Sequence, residues 1–249
     1  MAGGGRAAAW TVLVSACLIL WSIASLFYPL TIPPPWRVVE RLASMSPGVV
    51  ASAVATTLSD TVLGYLVAAA LAAASVALAV ASRFTWMLVC DLNSLVQSVS
   101  VLVWALIFIS FFGATSRVPA VLVAAAAAYP ILLSSLLGSV SELRARYSDL
   151  TAMLGLDRVS ELLYILLPGS LPSFIAASRS ALGVALRISV VAEAFSSAGG
   201  IGYMLMEAYS LGDIVSMYAW ALLLVILMVL LDKLVLARLE EVPRRWMER

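Results

Sequence analysis

The chain contains no histidine and only two cysteines, Cys17 and Cys90, both in or beside apolar runs. A disulfide framework and a Cys/His zinc site are thereby excluded, and no metal site is expected. Charge is scarce: 12% of residues are Asp, Glu, Lys or Arg, and Lys233 is the single lysine. Nowhere does G-x-x-x-x-G-K-[ST] occur, so the sequence carries no phosphate-cradling loop of its own. Segments of alternating polarity, which would build an outer-membrane barrel, are missing. Paired acids at motif spacing are missing too, which leaves a membrane enzyme the weakest reading.

What is abundant is apolar. Hydrophobic residues make up 63% of the 249 and mean hydropathy is +1.06, well beyond the roughly one half apolar content of a soluble domain. Runs of about 20 apolar residues, enough to cross a bilayer as helix, recur along the chain. The sequence therefore reads as an all-α membrane protein, a single domain over 1–249 with about six spans. They are expected at 10–28, 58–81, 87–112, 119–138, 171–195 and 214–236. The first run follows Arg6 as a signal peptide would, but it is longer than a signal core and has no clean cleavage site before Pro29. It is read as a retained span.

Arginine and lysine placement sets the orientation. With the N-terminus inside, Arg6, Arg83, Arg144, Arg146, Arg158, Lys233, Arg238, Arg244, Arg245 and Arg249 all fall on cytoplasmic segments. Only Arg37, Arg41 and Arg117 fall outside, and Arg179 and Arg187 lie within the fifth span. Both termini, and the polar stretch 141–168, are thus expected in the cytoplasm. The first external loop opens on Pro33, Pro34 and Pro35, a stiff entry to a short amphipathic stretch from Trp36 to Met45.

The polar stretch 141–168 reads as two helices. Ser148 and Asp149 make a helix start and Gly155 a stop; Asp157 caps a second helix that Pro168 closes. In the first, Leu143, Tyr147, Leu150 and Leu154 share a stripe at three- and four-residue spacing. That stripe must be buried in the membrane interface, against its own bundle, or in a groove on a partner protein.

From Asp149 the residues run D-L-T-x-x-x-G, then nine residues, then I-x-L-P at Ile165, Leu167 and Pro168. This resembles the E-A-A-x-x-x-G-x9-I-x-L-P loop of the permease subunits of binding-protein-dependent ABC importers, with Leu150 and Thr151 in place of the paired alanines. The segment 97–113 is similar to the third span of the sulfonate/nitrate/taurine permease group, which usually has prolines where Ser100 and Leu106 stand. Tyr129-Pro130-Ile131, Leu171 through Arg179, Ala192-Glu193-Ala194, Gly200-Ile201-Gly202-Tyr203 and Trp246 follow the same group. So does 57–65, except that Asp60 replaces the usual arginine.

The resemblance implies a type I importer permease of the prokaryotic cytoplasmic membrane, multi-pass and embedded in lipid. Its cytoplasmic partner would be an ABC ATPase, which alone binds ATP and magnesium; this chain would bind no cofactor of its own. Tyr147, Asp149, Leu150, Thr151, Leu154 and Gly155, with Ile165, Leu167 and Pro168, would carry the docking. A second permease copy, as a homodimer, would complete the path, and an external binding protein would deliver a small solute, an anion such as sulfonate, taurine or nitrate. No nucleic-acid partner is implied. An ATPase-independent channel or secondary transporter is the alternative.

An arginine at mid-bilayer costs roughly 2.5–3.5 kcal/mol on insertion scales, so Arg187 should face protein or water. It either pairs with Asp60 or Asp91, or lines the path and favours an anion; Gln97 and Ser100 join it as path candidates. Arg179 is near enough to the cytoplasmic end to snorkel. Glu193, Gly200, Gly202 and Tyr203 are candidates for the gate or the binding-protein face, although a glycine-rich turn is as readily simple punctuation and Glu193 and Glu207 solvated loop acids.

Overall fold

The computed structural model describes residues 2–196 and 198–233, and every regular element in them is helical. The elements run α1 (Ala2–Phe27), α2 (Pro35–Ser44), α3 (Pro47–Ala81), α4 (Arg83–Ser98), α5 (Val101–Phe112), α6 (Val118–Met153), α7 (Arg158–Glu161), α8 (Leu167–Ala194), α9 (Ile201–Ser210) and α10 (Ile214–Leu231). A π-helical turn, Leu162–Leu166, joins α7 to α8. Four helices are long and apolar enough to cross a membrane, or five if α4 and α5 count as one broken span. The first expected span, 10–28, falls on α1, whose described apolar part is Ser15–Phe27. Residues 234–236 of the last expected span, the final arginines and Trp246 lie outside the described residues.

Three expectations from the sequence are corrected. The run 87–112 is not one straight helix, because α4 and α5 meet at 93°. The Ser98 hydroxyl turns back onto the Leu95 carbonyl at 2.7 Å, and Ser100 is extended at φ −61°, ψ 141°. That is a value proline would impose, so the break survives here without one.

No helix starts at Ser148. Instead α6 continues from the membrane through the polar stretch to Met153, 36 residues without interruption. Its end is the expected one: Gly155 is left-handed at φ 60°, its N–H bonds the Ala152 carbonyl, and the Leu156 N–H bonds the Thr151 carbonyl. This is the paired C-terminal closure that favours glycine.

Pro168, finally, does not close the second helix. Asp157 caps α7 by accepting the Ser160 N–H at 3.3 Å, and the chain then continues as one rod, Arg158–Ala194. Pro168 has no N–H and its ring clashes with the carbonyl four residues back. The π turn just ahead widens the helix, and Leu167 bonds Leu162, five residues back.

α6 packs most extensively against α8 and α3. Alanines make that contact close: Ala68, Ala72, Ala124, Ala128, Ala181 and Ala185 are fully buried at the centre of the largest core cluster. A Cβ on Gly64 would lie 2.6 Å from the Ala124 Cβ and 2.7 Å from the Val121 carbonyl. Between helices in lipid, small residues let backbones approach where no hydrophobic driving force exists. α1 is tied to this body by the Trp21 indole, which donates to the Pro33 carbonyl at 3.0 Å and leans on Tyr218.

Candidate functional site

The two rods around residues 154–157 form the first candidate. Leu143 and Tyr147 are half-buried against the body, while further along α6 Leu150, Met153 and Leu154 are exposed, Met153 at 85%. Val159, Leu163, Tyr164 and Leu167 on the returning rod are exposed as well. Asp149 is exposed and Thr151 folds its hydroxyl onto the Ser148 carbonyl. Ile165 is half-buried against the core beside the fully buried Leu166, whereas Leu167 and Pro168 are exposed, so the I-x-L-P segment is anchored on one side and joins the exposed surface on the other. Ser160, through its hydroxyl and backbone N–H, holds the Asp157 carboxyl below its usual 3.8.

A second candidate is a groove of about 620 Å³ between α3, α8 and the end of α10, where Thr61, Ser180, Gly183 and Arg187 face apolar Leu58, Leu182 and Leu231. Arg187 is exposed into it and makes no ion pair among the described residues. Neither expected acid reaches it. Asp91 is exposed on α4, and Asp60 is taken by Arg117 at 2.6 Å. Arg179, at the groove's end, bonds Asp232 at 3.0 Å instead of reaching for solvent alone.

Asp60 therefore does not line the groove. It is 1% exposed and joins α3 to Arg117, which also reaches Ser59 and the Thr56 carbonyl. Gln97 and Ser100 sit not on the groove but at the α4–α5 break. Gln97 borders a separate cavity of about 290 Å³ with Trp104, Pro130 and Ser134, and Ser100 is the N-cap residue of α5.

The third candidate is internal. Glu193, expected near an outer contact surface, is 1% exposed. Its Oε2 accepts the Gly202 N–H at 3.0 Å and the Thr57 hydroxyl at 2.9 Å, while the Thr57 Oγ1 accepts the Ile201 N–H. The carboxylate thus does for α9 what an N-cap side chain would do, since Gly200 has none. Gly200 is at φ 98°, with the Glu193 carboxylate where its Cβ would stand, and a Cβ on Gly202 would strike the Val190 carbonyl. These glycines are therefore required by close approach. Tyr203 points outward and donates to Glu207 at 3.2 Å; that carboxylate pushes its hydroxyl above the usual 10.0.

Thr57, Ser189 and Arg117 were not candidates from the sequence, although a signal existed. Thr57, Asp60, Thr61 and Gly64 fall at i, i+3, i+4 and i+7 in an otherwise apolar helix, and Ser189 and Glu193 at i and i+4 in α8. Thr61 and Ser189 meet at 3.0 Å.

The ends of α3 separate the charged groups. Arg117 sits beside Asp60, whereas Arg144 reaches the Val80 carbonyl and Arg158 the Ala81 carbonyl. Twenty residues of helix (80 − 60) put about 30 Å between them, one hydrocarbon thickness. At the Arg117 end, Asp213 caps α10 by accepting the Ser216 N–H at 3.0 Å, and Arg41 donates to the Ser216 hydroxyl at 2.7 Å. Ser216 and then Arg41 hold the Asp213 carboxyl below 3.8.

Comparison with known proteins gives one family match: binding-protein-dependent transport system inner membrane component, over residues 66–241. The chain is 28% identical over 201 residues to the taurine transport system permease protein TauC of Escherichia coli K12, covering 76% of this chain and 72% of that protein. It is 33% identical over 86 residues to the nitrate import permease protein NrtB of Synechococcus elongatus, covering 34% and 30%. With the putative aliphatic sulfonates transport permease protein SsuC of Bacillus subtilis it shares 26% over 129 residues, covering 52% and 46%. The chain thus spans less than half of the latter two.

Proposed function

Because this chain belongs to the family of binding-protein-dependent transport system inner membrane components, we propose that it is the membrane-spanning half of an ATP-driven importer for a small anion. A separate cytoplasmic ATPase docks on residues 147–155, and an external protein delivers the solute. The observation that carries the reading is the pair of rods. α6 and Arg158–Ala194 both run from the bundle core to one exposed apolar tip at Met153, Leu154 and Val159. An exposed apolar surface on a rod end calls for a partner, and a rod continuous with the core gives that partner a grip on the bundle.

The solute path is the groove beside Arg187, completed by a second copy of the chain. A guanidinium without a carboxylate partner among the described residues, in a largely apolar groove, favours an anion over a cation or a neutral solute. The relatives named for taurine, nitrate and aliphatic sulfonates support the same class. Nucleotide on one side and loaded binding protein on the other would bias two conformations of the dimer, each by its differential affinity.

Reconstitution with and without the ATPase tests the proposal. Anion uptake should require both ATPase and ATP, and flux that persists without them would sink it. Met153→Asp and Leu154→Asp should abolish co-purification of the ATPase while leaving the helical content intact. Arg187→Leu should cut uptake by at least tenfold at unchanged expression; full uptake would remove Arg187 from the path.

A further inference from the structure

A pocket of about 310 Å³ opens where the α3–α4 turn meets both rods, lined by Val80, Ser82, Arg83, Trp86, Arg144 and Arg158. Three guanidinium groups come to it from three elements. Two are fixed from behind. Arg144 holds both oxygens of Glu161 at 3.0 Å and reaches the Val80 carbonyl at 3.2 Å, while Arg158 donates to the Ala81 carbonyl. The third, Arg83, has no ion pair among the described residues and is exposed. With Glu161 as the one acid bonded to the cluster among the described residues, positive charge there is in excess by two.

α4 begins at the pocket wall. Ser82 caps it, accepting the Thr85 N–H at 3.0 Å, and the positive end of this 16-residue helix adds to the arginine field. The wall then continues outward as apolar surface. Phe84 is 69% exposed and Leu88 56%, one helical turn apart on α4. Trp86, half-buried between pocket and core, is the residue type that settles at a membrane interface. A cationic pocket roomy enough for a phosphate and its attached headgroup, beside an exposed apolar strip, fits a molecule with an anionic head and an apolar tail. A free phosphate would use the pocket alone and leave the strip bare, as would an acidic loop of a protein.

We propose that this pocket binds the headgroup phosphate of an anionic phospholipid, whose acyl chain lies along Phe84 and Leu88. The lipid then bridges the α3–α4 turn to the two rods at Arg144 and Arg158. The site rests on the membrane location of the family; its consequence, that bilayer composition affects ATPase docking, rests on the docking reading above.

The test is native mass spectrometry of the full chain, released from neutral detergent after titration with phosphatidylglycerol or phosphatidylcholine. One phosphatidylglycerol should be retained in preference to phosphatidylcholine. Arg83→Gln should weaken that retention about fivefold, the contribution of one basic side chain near an anionic surface, with unchanged helical circular dichroism. Arg83→Lys should keep it, and Arg41→Gln, at the other end of α3, should leave it untouched. Equal retention of the two lipids, or wild-type retention by Arg83→Gln, would overturn the proposal. Complete displacement of the lipid by excess inorganic phosphate would reassign the pocket to a soluble anion. Failure of the ATPase to associate would leave these lipid outcomes readable and would count against the docking reading alone.

Discussion

Among the described residues Glu193 and Asp60 are the two fully buried carboxylates, and they hold different things. Glu193 closes the turn into α9, and Asp60 anchors Arg117. The Asp60–Arg117 pair is asymmetric, since the aspartate side chain is 2% exposed and the arginine 47%. Removing the exposed partner leaves a buried charge uncompensated, whereas removing the buried one frees an arginine to water. Arg117→Ala should therefore cost about 1–3 kcal/mol, discounted from the fully buried case for solvent screening, and Asp60→Asn less. Thermal unfolding in detergent checks the order; an equal loss for both would contradict it. Gly202→Ala should destabilise by about 1–3 kcal/mol through the Val190 carbonyl, while Gly183→Ala, with nothing within 4 Å of the new methyl, should be neutral or stabilising. No local pattern could have paired Glu193 with Thr57, which lies 136 residues away. The glycines around it were visible, but as a loop and not as a space kept clear for a carboxylate.

Among the elements, apolar length was readable and continuity was not. Hydropathy located α3, α6, α8 and α10 because each must satisfy lipid over about 20 residues. It joined α4 to α5 because the junction at Ser98–Ser100 contains neither glycine nor proline, and the bend is made by extended backbone at Val99 and Ser100. Equally, the polar residues after Val140 suggested a gap where the helix simply leaves the membrane, for polarity reports solvent and not backbone. Only the caps were fully legible, Gly155 and Asp157 by type and place. Asp213→Ala should cost about 1 kcal/mol as the loss of an N-cap. Asp157 and Asp213 are both held below 3.8, so the stability they add is present above that pH and lost as pH falls through their lowered values. Wild-type stability should decline below pH 3.8 with a smaller acid-side slope in Asp213→Ala.

At the scale of the whole molecule, the bundle is held by close backbone approach between α3, α6 and α8, so bulk there should be poorly tolerated. Gly64→Val should lower the thermal midpoint more than any cap variant, because the obstruction is Ala124 and the Val121 backbone, neither of which can rotate away. The same tightness means α6 moves as a unit or not at all. From Pro130, within the core, to Met153 is 23 residues (153 − 130) of uninterrupted helix, about 35 Å. Pivoted at Pro130, such a lever swung by 10° carries its tip about 6 Å, close to one helical pitch of 5.4 Å. Force applied at Met153 therefore arrives at the bundle core with mechanical advantage and without a hinge between, and the gearing of the machine is the length of a single rod.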